Sequence, residues 1–216
     1  MPYPFAVFDM DGTILDTLDD LANSLNYALS QARFPMRSRM EVRSFLGYGR
    51  QALIARGVPE GTSADEIAAV SRSFEAHYAL HSADCTRPYP GVLTLLQALR
   101  DAGCKTAVVS NKGDEAVRAL CRHYFPGLFD AIAGARDGVP KKPAPDLVEV
   151  VLSTLHADKS SAVYIGDSEV DLQTAQNSGL PAILVDWGFR DAAFLQAQGS
   201  KTIVSTPEQV LQLILK

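Results

Sequence analysis

Phe5-Ala6-Val7-Phe8-Asp9-Met10-Asp11-Gly12-Thr13 decides how this chain is read. The run Phe5–Phe8 predicts a buried strand that stops abruptly on two carboxylates one residue apart, after which Gly12 and Thr13 turn the chain. Two acids at the end of a hydrophobic strand are costly to hold unless positive charge lies between them. A hard divalent cation such as Mg²⁺ takes oxygen ligands and pairs readily with substrate phosphate. Asp9 and Asp11 are therefore expected at the centre of a metal-dependent site acting on phosphate.

Outward from this stretch the pattern is first helical. Leu18, Leu21, Leu25, Ala28 and Leu29 recur at helical spacing up to about Ala32, with Asp19 and Asp20 favouring the first turn. Further helices are expected at Met40–Leu46, Arg50–Arg56 and Ala64–His81, and no strand between Asp16 and Pro88. From Tyr89-Pro90-Gly91 onward strands and helices alternate. Strands are expected at Lys105–Val109, Phe129–Ala133, Ser161–Ile165, Ala182–Val185 and Lys201–Val204. The intervening helices are Val92–Ala102, Asp114–His123, one ending at Leu155, and Glu169–Ser178, with Pro207–Leu215 last. Such alternation implies an α/β fold, a Rossmann-like parallel sheet with helices on both faces. A parallel crossover needs only about a dozen residues, far fewer than separate the first two strands. The excess reads as an inserted α-helical cap over 16–88, with 1–15 and 89–216 forming the core and hinges near Asp16–Leu18 and Arg87–Pro90.

Composition narrows the function. The 216 residues are 47% hydrophobic and 21% charged, enough to bury a core. A net charge of -5 argues against a protein that coats nucleic acid or membrane, which would present a basic face. Cys85, Cys104 and Cys121 are odd in number and lack metal-ligand spacing, as expected of reduced thiols in a cytoplasmic protein. Neither a membrane span nor a secretory signal is visible.

Ligands of open α/β sheets bind beyond the carboxyl ends of the strands, where strand order reverses. Asp9, Ser110 and Asp167 each follow a strand, and Lys142 lies in a Pro-rich loop able to reach the same rim. Any one of them is equally an N-cap or a solvated residue; together they read as a site. Asp9 can attack phosphorus once a cation screens the repulsion between anions. Asp11 is then the candidate general acid, and afterwards the base for water. Ser110, Asn111, Lys112 and Thr13 are candidates for holding the phosphoryl oxygens, and Lys142 for stabilising their charge. Asp167 would complete the metal shell, supported by Asp171 one helical turn later, directly or through water.

Asp9-Met10-Asp11-Gly12-Thr13, Ser110-Asn111-Lys112, Lys142-Pro143-Ala144-Pro145 and Gly166-Asp167-Ser168-Glu169-Val170-Asp171 resemble, in order, the four motifs of the haloacid dehalogenase-like hydrolase superfamily. The helical insertion is similar to that superfamily's cap of the first type. Leu15-Asp16-Thr17, Tyr89-Pro90-Gly91-Val92, Val109-Ser110-Asn111-Lys112 and Lys142-Pro143-Ala144-Pro145-Asp146 look most like the phosphoglycolate phosphatases. The resemblance implies an aspartyl-phosphate on Asp9 and Mg²⁺ held by the Asp9 carboxylate, the main-chain carbonyl of Asp11, and Asp167. Dehalogenases of the superfamily lack an acid two positions after the nucleophile. Asp11 therefore favours phosphatase chemistry.

The expected partner is a small phosphorylated metabolite, phosphoglycolate first, over which the cap closes. A nucleotide, pyrophosphate or sugar phosphate remains open, as does a beta-phosphoglucomutase-like transfer back to a sugar, and a sensor without turnover is the third class. The chain is expected to be a monomer or homodimer. In Phe45-Leu46-Gly47-Tyr48-Gly49-Arg50, two glycines before a helix place backbone N–H groups beside a cation, suited to a substrate carboxylate. The competing reading of Arg50 is a solvated side chain after a bent loop. His77 and His81 lack a surrounding zinc motif. Trp187-Gly188-Phe189-Arg190 is expected to pack at the rim.

Overall fold

The strand expected at Phe5–Phe8 lies in the middle of a six-stranded parallel sheet in the computed structural model, which describes residues 2–216. The elements run β1 (Phe5–Phe8), β2 (Leu15–Asp16), α1 (Leu18–Gln31), α2 (Arg39–Phe45), α3 (Arg50–Gly57), α4 (Ala64–His81) and β3 (Arg87–Pro88). Then follow α5 (Val92–Asp101), β4 (Lys105–Gly113), α6 (Asp114–Tyr124), β5 (Ala131–Ala135) and α7 (Asp146–Leu155). A 3₁₀ turn precedes β6 (Ala162–Gly166), and α8 (Glu169–Ser178), β7 (Ala182–Val185), α9 (Ala192–Ala197), β8 (Ile203–Val204) and α10 (Pro207–Leu215) complete the chain. Two compact units result: residues up to Leu15 with Pro88–Lys216, and Asp16–Arg87.

In the first unit the sheet order is β5-β4-β1-β6-β7-β8 with every pair parallel. Leaving out the short β2 and β3, which pair with each other, this is the doubly wound Rossmann order, reversing direction at β1. Alternation along β1 feeds both faces. Ala6 and Phe8 pack with residues of α5, α6 and α10, whereas Val7 joins Leu147, Val148, Val151 and Leu152 of α7 on the other side.

The second unit is helical, with α1 packed along α4 and against α2 and α3. Ser38 and Ser63 each close a capping box, with Glu41 and Glu66, at the starts of α2 and α4. Asp20, in the first turn of α1 as expected, is also buried, with 1% of its surface exposed. Its carboxylate accepts hydrogen bonds from the main-chain N–H groups of Cys85 and Thr86 at 2.8–3.0 Å. No helix among the described residues is long and apolar enough to cross a membrane.

The structure departs from the sequence reading in a few places. The insertion, expected without strands, is bordered by the two-residue β2 and β3. The strand expected to end at Val109 continues through Gly113, because Val109 pairs with Ala133 while Gly113 pairs with Ala135, leaving extra residues on β4. A bulge of this kind re-aims side chains beside functional sites. β5 begins at Ala131, since Phe129 is engaged edge-on by Phe8 and Phe125. The unexpected helix α9 is started by Asp191, whose side chain accepts from the Phe194 N–H. β8 is shorter than expected, only Ile203–Val204.

Candidate active site

Register alone brings the acids together. Phe8 pairs with Val108 on one side and Ile165 on the other, so β1 and β6 end within a residue of each other at the carboxyl edge, beside the β4 bulge that carries Ser110. That edge, between β1 and β6, is the point where the sheet order reverses. The Asp9 N–H donates to the Ile165 carbonyl at 2.8 Å, and Asp9 as a whole is 5% exposed.

Lys142 reaches this edge from the segment after β5. The side-chain amide of Asn111 sets its position by donating to the Lys142 carbonyl at 3.0 Å and accepting from the Lys142 N–H at 2.8 Å. The ammonium then donates to Asp9 Oδ1 at 2.6 Å, Asp171 Oδ1 at 2.8 Å and Tyr164 Oη at 3.1 Å. An ammonium has three donors and no acceptor, so all three are engaged. Burial opposes the charge on Lys142, but the carboxylates of Asp171 and Asp9 outweigh it and hold the ammonium protonated well above the usual lysine range. Burial also keeps Tyr164 a neutral phenol, whose hydroxyl donates to Asp171 Oδ1 at 3.1 Å.

Asp9 and Asp167 are not neutralised by this arrangement. Burial pushes the Asp9 carboxyl up to about 7, with Lys142 working against the rise and Asp171 adding to it. Asp167 is raised well above the ordinary range by burial and by the neighbouring Asp171 and Asp9. Its Oδ1 accepts from the Thr13 hydroxyl at 3.3 Å and its Oδ2 from the Phe189 N–H at 2.6 Å. Asp9, Asp167 and Asp171 each offer one oxygen within 4.8 Å of the others. Three buried carboxylates around a single ammonium form an oxygen-only donor set with surplus negative charge, which fits a hard divalent cation. Asp171 is the least available of the three. Its Oδ2 already accepts from the N–H groups of Asp167 and Ser168 and from the Ser168 hydroxyl, and its Oδ1 from Lys142 and Tyr164. It braces Lys142 and the start of α8.

The remaining candidates fall into place around this cluster. Asp11 pairs with Lys112, whose ammonium lies 3.1 Å from Asp11 Oδ1 and whose side chain is only 7% exposed. Ser110 is buried in the β4 bulge and accepts from the Lys112 N–H at 3.2 Å. Gly12 adopts φ +92°, and a methyl group there would lie 2.3 Å from Asp167 Oδ2, so only glycine allows the turn to pass that close. Arg50 opens α3 in the helical unit and pairs with Glu75 at 2.7 Å, both side chains about half exposed.

Sequence reasoning did not single out Tyr164, Ser168 or the Phe189 N–H. For Ser168 the signal was present, because Ser168 and Asp171 have capping-box spacing. For Tyr164 the only hint was a phenol in an otherwise aliphatic strand, and a backbone donor leaves no trace in sequence.

Comparison with known proteins gives a consistent picture. The model of the haloacid dehalogenase-like hydrolase family matches residues 6–185. A phosphoglycolate phosphatase of Mesorhizobium japonicum is 32% identical over 94% of this chain and 91% of its own length. A crystal structure from Lactobacillus delbrueckii subsp. bulgaricus, of a protein provisionally called a phosphoglycolate phosphatase, superimposes with TM-score 0.95 at 40% identity, covering 100% of this chain and 99% of that one. CbbY from Rhodobacter sphaeroides, crystallised with phosphate, gives TM-score 0.76 at 26% identity over 96% of both chains. The sheet order, the four matching segments and these relatives agree: the chain belongs to the haloacid dehalogenase-like hydrolase family and is an enzyme of the phosphatase kind.

Proposed function

We propose that this chain is a Mg²⁺-dependent phosphatase that hydrolyses a small phosphate monoester, phosphoglycolate first, through an aspartyl-phosphate on Asp9. The observation that carries this reading is the buried Asp9 carboxylate at the end of β1, held on one oxygen by Lys142 and flanked by the under-neutralised Asp167. Lys142 engages Oδ1, so Oδ2 is the oxygen offered to phosphorus. As Oδ2 bonds to phosphorus the ester P–O bond breaks, and Asp11 gives its proton to the departing oxygen. Asp11 then takes a proton from the water that attacks the phosphoryl group, which leaves as inorganic phosphate and restores the Asp9 carboxylate. Without substrate Lys112 pairs with the Asp11 carboxylate; when a phosphoryl oxygen arrives Lys112 transfers to it, beside Ser110 and its neighbouring amides, and Asp11, released from the pair, takes up from solvent the proton it then gives to the leaving oxygen. Lys142 holds charge through both steps. Asp9, Asp167 and the Asp11 carbonyl are the proposed ligands of Mg²⁺, which when bound supplies the positive charge that lets a carboxylate approach a phosphate dianion.

The test is a panel of phosphorylated metabolites assayed for inorganic phosphate, with Mg²⁺ present or chelated. Release from phosphoglycolate above the rest, lost on chelation and restored by Mg²⁺, is the expected result. Phosphoryl transfer to a second hydroxyl without phosphate release would make the enzyme a mutase. Equal turnover with and without chelator would remove the metal from the proposal.

Arg50 is the proposed partner of the substrate carboxylate. Its pair with Glu75 is half exposed and therefore worth little, so exchanging it for a substrate anion costs little. A hydrogen bond to a charged group contributes about 1.5–3 kcal/mol. Arg50→Ala is accordingly expected to raise KM for phosphoglycolate by about 10- to 100-fold and to leave p-nitrophenyl phosphate nearly unchanged. Equal effects on the two substrates would remove Arg50 from substrate binding.

A further inference from the structure

Trp187-Gly188-Phe189-Arg190 follows β7, the sheet neighbour of β6, and all four residues engage the turns that carry the acids. The Trp187 indole N–H donates to the Thr13 carbonyl at 3.1 Å, tying down the turn after β1. At Gly188 a methyl group would lie 2.2 Å from the Gly12 carbonyl oxygen and 2.4 Å from Asp167 Oδ2, so the chain passes there only because the position has no side chain. The Phe189 N–H donates to Asp167 Oδ2 at 2.6 Å. Arg190 grips Glu169, the first residue of α8, with two prongs: Nε to Oε2 at 2.8 Å and Nη2 to Oε1 at 3.0 Å. The guanidinium lies over the Phe194 ring at 5.5 Å from its centroid.

A rim segment used only for packing would bury apolar side chains and leave its polar atoms to water. Here Trp187 and Phe189 make directed hydrogen bonds to the turns around Asp167, Arg190 bonds Glu169 at the start of α8, and Gly188 permits the close approach by having no side chain. With the Thr13 hydroxyl on Oδ1 and the Phe189 N–H on Oδ2, both oxygens of Asp167 are oriented, one from the turn after β1 and one from the segment after β7. Arg190 fixes the end of the same turn through Glu169, two residues after Asp167.

We infer that Trp187–Arg190 is a positioning segment that presents the Asp167 carboxylate to the divalent cation, an inference that rests on the metal site proposed above. Groups that orient a metal ligand in this way typically change metal affinity by about 10- to 100-fold when altered.

The experiment measures binding of Mn²⁺, whose free ion gives a paramagnetic resonance signal that is lost on binding, in the wild type, Gly188→Ala and Arg190→Lys. The lysine keeps the charge at 190 and loses the two-pronged grip. Both variants are expected to bind Mn²⁺ about 10-fold or more weakly. The Mg²⁺ concentration for half-maximal activity should rise in parallel, with KM for p-nitrophenyl phosphate at saturating Mg²⁺ within about two-fold of the wild type. If Gly188→Ala does not fold, Arg190→Lys decides. Variants that are folded by near-ultraviolet circular dichroism and bind Mn²⁺ like the wild type would overturn the positioning role and leave the metal site standing. A wild type that binds no Mn²⁺ would overturn both.

Discussion

Replacing Asp9 by asparagine is expected to lower phosphate release by roughly 10⁴-fold or more, because the amide has no anionic oxygen to offer phosphorus. The fold should survive. An amide carbonyl can still accept from the Lys142 ammonium, which keeps Asp171 and Tyr164 as its other partners. Stability supplies a second readout with a definite sign. The Asp9 carboxyl is held at about 7 in the folded chain against an ordinary 3.8, so the folded state keeps a proton that the unfolded state has lost. Stability from this group is full below pH 4, declines as pH rises to about 7, and is level once both states have lost the proton. Asp9→Asn removes that decline. Without metal at pH 8 the variant is expected to melt at least as high as the wild type, and below pH 4 the advantage should vanish. Denaturation midpoints at the two pH values check the stability, and a phosphate-release assay checks the chemistry. Activity within about 100-fold of the wild type would end the case for Asp9 as nucleophile.

Lys142→Met should damage both stability and catalysis. The side chain is about as long, but the point where Asp9, Asp171 and Tyr164 converge within 2.6–3.1 Å loses its cation. Removing one partner of a buried charge cluster costs about 3–5 kcal/mol, since the remaining carboxylates are left without compensation. Loss of a group that stabilises developing charge costs about 10²- to 10³-fold in kcat. Urea denaturation and kcat at saturating Mg²⁺ measure the two effects. Lys142→Arg should rescue neither, because a planar fork of five donors cannot place one atom where three acceptors meet. A methionine variant with near-normal kcat would show that Lys142 is structural only.

Much of the architecture was legible because β1, β6 and β7 are short apolar runs and the helices between them carry clear periodicity. The meeting of Asp9 and Asp167 followed from one rule, that polar residues just past parallel strands share an edge, while Lys142 was reached through its Pro-rich loop and Asp171 through helical spacing from Asp167. The connections among them were not legible. Asn111 was expected to face phosphate, yet its amide is engaged at both ends by the main chain of Lys142, a pairing between residues 31 apart. The β4 bulge was invisible because Ser110-Asn111-Lys112-Gly113 has the composition of a turn, and only the Gly113–Ala135 pairing makes it strand. Asp20 looked like an ordinary first-turn acid because its partners, Cys85 and Thr86, lie 65 and 66 residues away. Contacts of backbone to side chain over such separations leave no periodic signal.

The Asp20 carboxylate governs how the helical segment is attached. By binding the main chain at Cys85 and Thr86 it closes the helical segment into a loop whose entry and exit lie side by side. A segment closed in that way behaves as a cassette, since a host needs only two adjacent attachment points to receive it. Without that one buried acid, the two attachment points of the helical bundle would lose the clamp that keeps them adjacent.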